Sequence, residues 1–109
     1  MSHQTPEIDI ERLAGAADAD AHVIDVREAS EYVAGHVPGA TLIPMGHLSA
    51  RLKFDKSRPV YVVCASGNRS AAMTDLLVAN GYEAYSVAGG TNAWERSGRQ
   101  LETGASAAH

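Results

Sequence analysis

The sequence predicts a small α/β domain in which a mostly parallel central sheet of about five strands carries helices on both faces. Apolar runs of strand length recur along the chain: "HVIDV" (residues 22–26), "ATLIP" (40–44), "VYVVC" (60–64) and "EAYSV" (83–87). They are continuous and rich in β-branched residues rather than alternating, the habit of strands covered on both faces. Helical patterns fill the intervals, as right-handed crossovers between parallel strands require.

In chain order, "MSHQTP" (1–6) and "ETGASAAH" (102–109) are small, polar and aperiodic, and are expected as flexible tails around a domain spanning 7–101. "IERLAGAA" (10–17) follows Asp9, a favoured N-cap residue, and reads as the first helix. "HVIDV" follows as a strand. "ASEYVAG" (29–35) places Ser30 and Glu31 in a short helix, and "MGHLSARL" (45–52) forms another beyond "ATLIP". The clearest helix runs over 69–80. There Ala72, Met73, Leu76, Leu77 and Asn80 fall on one face, and Gly81 stands where a left-handed C-cap residue belongs. "EAYSV" is the weakest strand, and "TNAWERSG" (91–98) closes the domain behind Gly89 and Gly90 with Ala93 and Trp94 turned inward.

Composition narrows the function classes. The 109 residues are one domain's worth, 45% hydrophobic and 20% charged, and enough to remove roughly two-thirds of the unfolded surface from water. A net charge of −4 with no Lys/Arg cluster longer than a pair lacks the electrostatic footprint of a nucleic-acid binder. No run approaches the roughly 18 apolar residues of a membrane span. A single cysteine cannot form an internal disulfide, and residues 1–9 hold no apolar core of the signal-peptide kind, so the expected setting is a reducing cytoplasm.

That cysteine is the focus. In an open parallel sheet the ligand crevice lies beyond the carboxyl ends of the strands. Cys64, the "DVRE" segment (25–28) and the Gly89–Gly90 turn all follow strands, so three distant loops are expected to meet at one edge. Cys64 leads through Ala65, Ser66, Gly67 and Asn68 into a helix beginning near Arg69, and a helix N-terminus presents unpaired N–H groups to an anion. The thiolate is the reactive form of cysteine, and an ordinary thiol is only a few per cent ionised at neutral pH. A helix terminus contributes at best about 2 kcal/mol, against about 1.4 kcal/mol for each pKa unit. A larger effect needs several loop N–H groups turned onto the sulfur. Gly67 can take positive φ, Ala65 and Ser66 leave room, Ser66, Asn68 and Ser70 offer hydrogen bonds, and Arg69 supplies a full positive charge.

"CASGNR" resembles the six-residue active-site loop of single-domain rhodaneses. "VIDVREASEYVAGHVPGATLIP" (23–44) and "VAGGTNAWERSG" (87–98) are similar to the family's amino-terminal and carboxyl-terminal signatures. The resemblance implies a rhodanese-like sulfurtransferase in which Cys64 takes sulfane sulfur from thiosulfate or a persulfide, holds it as a persulfide, and delivers it to a thiol, sulfide or cyanide. It implies that Ala65, Ser66, Gly67, Asn68, Arg69 and Ser70 bind the substrate, with Arg69 orienting an anionic donor and Asp25 and Arg27 tying neighbouring loops. It implies no metal or organic cofactor. The partners are a small-molecule sulfur donor and a thiol acceptor, or a persulfide-carrying or thioredoxin-like protein.

Other readings weigh less. A cysteine phosphatase or arsenate reductase has five residues between cysteine and arginine, whereas four intervene here. A non-catalytic rhodanese-like module for protein interaction or redox sensing remains the alternative of a different class. His36 is expected to shape a turn rather than serve as a base, and the scattered histidines lack metal-ligand spacing. Without GxGxxG or GxxxxGK[ST], Gly89 and Gly90 read as a tight turn that lets Trp94 pack.

Overall fold

The computed structural model describes residues 4–16, 21–53 and 55–104. Five strands form one wholly parallel sheet: β1 (Glu7–Ile8), β2 (His22–Asp25), β3 (Thr41–Leu42), β4 (Val60–Val63) and β5 (Ala84–Val87), in the order β1-β5-β4-β2-β3. Val62 of the central strand is in register with Ile24 on one side and Ser86 on the other. The helices are α1 (Ile10–Ala16), α2 (Ala29–Ala34), α3 (Asn68–Ala79) and α4 (Gly90–Arg96), with a 3₁₀ segment over Met45–Arg51.

Both faces of the sheet are covered, which explains why its strands read as unbroken apolar runs. Alternate side chains enter different cores. Val23, Tyr61, Val63 and Val87 pack with Leu13 of α1, Tyr32 of α2 and Trp94 of α4. Ile24, Val60, Val62 and Ala84 pack with Leu48 of the 3₁₀ segment and Leu77 of α3, and Cys64 continues this second set. Asp9 caps α1 as expected, accepting the Arg12 N–H at 2.9 Å. At the far end of α3 the N–H groups of Gly81 and Tyr82 bond to the carbonyls of Val78 and Leu77, closing the helix where the sequence places its end.

Three expectations change. Strand β1, two residues long, has no apolar run to announce it. The segment read as a helix over 45–52 winds as a 3₁₀ helix. On α3 Met73, Leu76 and Leu77 pack inward as expected, but Ala72 and Asn80 are exposed and the fully buried positions beside Leu77 are Ser70 and Thr74. The helix turns its polar N-terminal side inward because that end faces the Cys64 loop.

Of the stretches expected as tails, Pro6 O accepts the Ser86 N–H at 2.8 Å, Glu102 forms an antiparallel bridge with His36, and the Gly104 N–H reaches Val33 O at 3.0 Å. Residues 1–3 and 105–109, and the expected helical position Ala17, lie outside the described residues.

Candidate active site

Alternation along β4 decides where the cysteine points. Val60, Val62 and Cys64 share the face that packs on α3, so the sulfur is delivered to the helix's N-terminal turn. The chain turns there through Gly67, the N-cap of α3, at φ +115°, a left-handed conformation that a side chain would strain. This turn aims the Gly67 N–H at Cys64 Sγ, 3.0 Å away, and Ser70 Oγ lies 3.5 Å from the same sulfur. Burial pushes the Cys64 thiol up, but the Ser70 hydroxyl and the backbone N–H groups of Ser70, Gly67 and Ser66 together outweigh it, so the thiol is held below its ordinary value. Cys64 is 1% exposed. Ser66 and Asn68 are exposed, so solvent meets the loop before the sulfur.

Ser86, which the sequence reading passed over, completes the cradle. Its hydroxyl, fully buried in β5, lies 2.7 Å from Ser70 Oγ, which is also 3.1 Å from Gly67 O. Ser70 has one proton for three neighbours. While sulfur is a thiol, its S–H donates to Ser70 Oγ. Once sulfur is a thiolate, the Ser70 O–H can turn to it and Ser86 can donate to Ser70, so the two hydroxyls polarise in series. The sequence signal was a serine inside an otherwise apolar strand.

Ser70→Ala is therefore expected to raise the pH midpoint of iodoacetamide alkylation by about one pH unit, and Ser86→Ala by a few tenths, each hydroxyl stabilising the charged sulfur by hydrogen bonding. The sign follows from the donors: losing them favours the neutral thiol. Alkylation rates measured from pH 5 to 10 check this, and unmoved midpoints in both variants would remove the hydroxyl pair from the account.

Two ion pairs flank the loop. Asp25 and Arg27, at the end of β2, are both buried, with Nε 2.9 Å from Asp25 Oδ1 and Nη2 2.8 Å from Oδ2. Arg27 Nη2 also donates to Gly35 O at 2.8 Å, which ties the strand end to the far end of α2. Arg69 makes a two-pronged pair with Glu31 of α2, at 2.8 and 2.9 Å. Asp25 thus serves Arg27, and the carboxylate that takes Arg69 comes from α2. The Arg69 guanidinium beside Glu31, with the Glu28 N–H, holds that carboxyl down at about 2.

The Gly89–Gly90 turn does more than admit Trp94. The first N–H groups of α4 dock on the cysteine loop, Thr91 N–H to Cys64 O at 2.8 Å and Asn92 N–H to Ala65 O at 3.0 Å. A Cβ on Gly90 would overlap Cys64 O. A groove of about 310 Å³ runs beside this contact, lined among others by Arg27, Glu31, Ala65, Thr91, Asn92 and Glu95. His36 is buried, stacked on Tyr32 at 3.7 Å, with Nδ1 2.7 Å from Tyr32 O. Among the described residues no group of three His, Cys, Asp or Glu side chains could hold a metal, and no helix is long and apolar enough to cross a membrane.

Fold and site together define a parallel α/β domain built around a strand-end cysteine loop. The chain belongs to the rhodanese-like domain family, which it matches over residues 9–97. It is 35% identical to "Thiosulfate sulfurtransferase GlpE" of Pseudoalteromonas translucida over 80 residues, 70% of this chain and 74% of that protein. Among solved structures it is similar to a rhodanese-like domain protein of Staphylococcus aureus (37% identity, TM-score 0.79, 90% of this chain and 97% of the other). A rhodanese-related protein of Thermoplasma volcanium superposes with a TM-score of 0.83 at 30% identity, over 89% and 97% of the two chains. Against YrkF of Bacillus subtilis, 32% identical, the chain spans 44% of the relative's length.

Proposed function

We propose that the protein is a sulfurtransferase that carries sulfane sulfur on Cys64 between a donor, thiosulfate or a persulfide, and a thiol, sulfide or cyanide acceptor. The observation that carries the reading is the Gly67 N–H held 3.0 Å from a sulfur whose thiol is lowered despite burial. In the first half-reaction the thiolate attacks the donor's outer sulfur; the bond between that sulfur and the rest of the donor breaks, and the leaving group departs with the electron pair. In the second, the acceptor attacks the terminal sulfur and the Cys64 thiolate leaves. Backbone N–H groups around the sulfur stabilise the negative charge on the persulfide as an oxyanion hole does on oxygen. The small loop side chains leave room for the added atom. A sulfurtransferase name on a relative 35% identical supports the same reading.

Intact-mass measurement after incubation with thiosulfate, and separately with an alkyl persulfide, tests it. Because the chain has a single cysteine, a gain of one sulfur atom that dithiothreitol reverses places the sulfur on Cys64. Gain from either donor is the expected result. No gain from both would overturn the proposal.

A further inference from the structure

Glu31 lies 38 positions from Arg69 in sequence yet grips it with both carboxylate oxygens. Gripping Arg69 removes the positive charge that the loop motif by itself offers to an anion. Arg27, the cation that lines the neighbouring groove, is likewise held by Asp25 and Gly35 O. The charged side chains that line the groove, Arg27, Glu31 and Glu95, carry a net charge of −1, and adding the partners Asp25 and Arg69 leaves it unchanged. With the Glu31 carboxyl held at about 2, this neutralisation persists at every pH at which the thiolate forms.

Donor chemistry makes the charge decisive. When thiosulfate reacts, a thiolate and a dianion become an anionic persulfide and sulfite, so the site must hold three negative charges in the transition state. When an alkyl persulfide R–S–SH reacts, the thiolate attacks the outer sulfur, that sulfur keeps its proton, and R–S⁻ leaves. Only one negative charge is then present throughout. No oxidant or reductant is consumed in either case.

We infer that Glu31 is a specificity-determining residue that withholds Arg69 from dianionic donors, so that the Cys64 loop takes an alkyl persulfide whose carrier group brings no net negative charge. The inference rests on the proposed sulfurtransferase activity. Glu31→Gln frees the guanidinium while keeping an oxygen that can accept the Glu28 N–H, the bond that Glu31 Oε1 makes at 3.0 Å.

The test measures Cys64 loading rates with thiosulfate and with cysteamine persulfide in the wild type, Glu31→Gln, and the double variant Glu31→Gln/Arg69→Gln. The ratio of thiosulfate to persulfide rates is expected to rise about tenfold in Glu31→Gln, the order of gain when one released charge acts on a nearby dianion under solvent-like screening. That gain is expected to vanish in the double variant and to shrink as salt rises. Loading that occurs with an unchanged ratio in Glu31→Gln, or a gain that survives loss of Arg69, overturns this inference alone. Absence of loading from every donor in the wild type overturns the sulfurtransferase reading beneath it. If Glu31→Gln fails to fold, Glu31→Asp, whose shorter side chain withdraws from Arg69, is expected to raise the same ratio by a smaller factor, and an unchanged ratio there overturns the inference equally.

Discussion

Arg27→Ala is expected to cost about 3–5 kcal/mol of stability, the range for removing one partner of a buried ion pair. The side chains of Arg27 and Asp25 are 7% and 0% exposed, so the loss leaves an uncompensated carboxylate where water does not reach. The Gly35 carbonyl loses its donor at the same time. A domain of this size has about 5–15 kcal/mol in total, so the variant approaches the limit of folding at 37 °C. Urea unfolding at 25 °C measures the effect, and a loss below about 1 kcal/mol would show that the pair contributes no more than a surface bridge. The double variant Asp25→Asn/Arg27→Ala is the informative companion. It removes the stranded charge and is expected to recover part of the loss. Full recovery would locate the whole cost in the carboxylate; the shortfall measures what the Gly35 bond and the packed guanidinium stem contribute. This pair therefore acts on the site through the backbone: it fixes the strand end from which α2, and with it Glu31, is hung.

How far the sequence revealed this site depends on whether a contact is local. The cradle of Cys64 was legible because strand, glycine and helix N-terminus are contiguous, so the thiol, the Gly67 N–H and Ser70 could be placed together from seven residues of text. The two faces of the sheet were legible because "VYVV" has no polar position to spare for solvent. Arg69 was visible but not its partner: the carboxylate that takes it comes from α2, and only the crossover geometry brings that helix to the loop. Ser86 was hidden for the opposite reason. It sits inside "EAYSV", the weakest of the strand readings, and its hydroxyl is what joins β5 to Ser70. The inner face of α3 was half legible: Met73, Leu76 and Leu77 pack inward as their spacing predicts, but the row of Ala72 and Asn80 is exposed and Ser70 and Thr74 are buried instead, against the polar site. Strand β1 is two residues held by pairing with Ser86 and Val87, and carries no pattern of its own.

Gly90→Ala is expected to reduce sulfur loading at least about a hundredfold and to destabilise the fold by about 2–4 kcal/mol, the sum of a left-handed backbone penalty and an overpacked contact. Gly90 sits at φ +54°, and an added Cβ would overlap Cys64 O and come within 2.9 Å of Ala65 O. Those atoms are backbone, so no side chain can swing aside. Relief requires α4 to lift from the loop, which lengthens the Thr91 and Asn92 N–H bonds to the same two carbonyls, or Cys64 to turn, which takes Sγ away from the Gly67 N–H. Either way the sulfur leaves its cradle. Gly89→Ala separates this effect from general instability. Gly89 also has positive φ, +75°, but its Cβ would collide 2.6 Å from Ala93 Cβ within α4 and meets no atom of the cysteine loop. The two variants are thus expected to lose comparable stability, with Gly89→Ala keeping much more of the loading rate per folded molecule. Thermal unfolding and alkyl-persulfide loading measured on both, at a temperature where each is folded, decide the matter. Equal loading rates would mean that the close approach of α4 serves the fold only. A hundredfold gap at matched stability would mean that the carbonyls of Cys64 and Ala65 hold the reactive sulfur in place from behind.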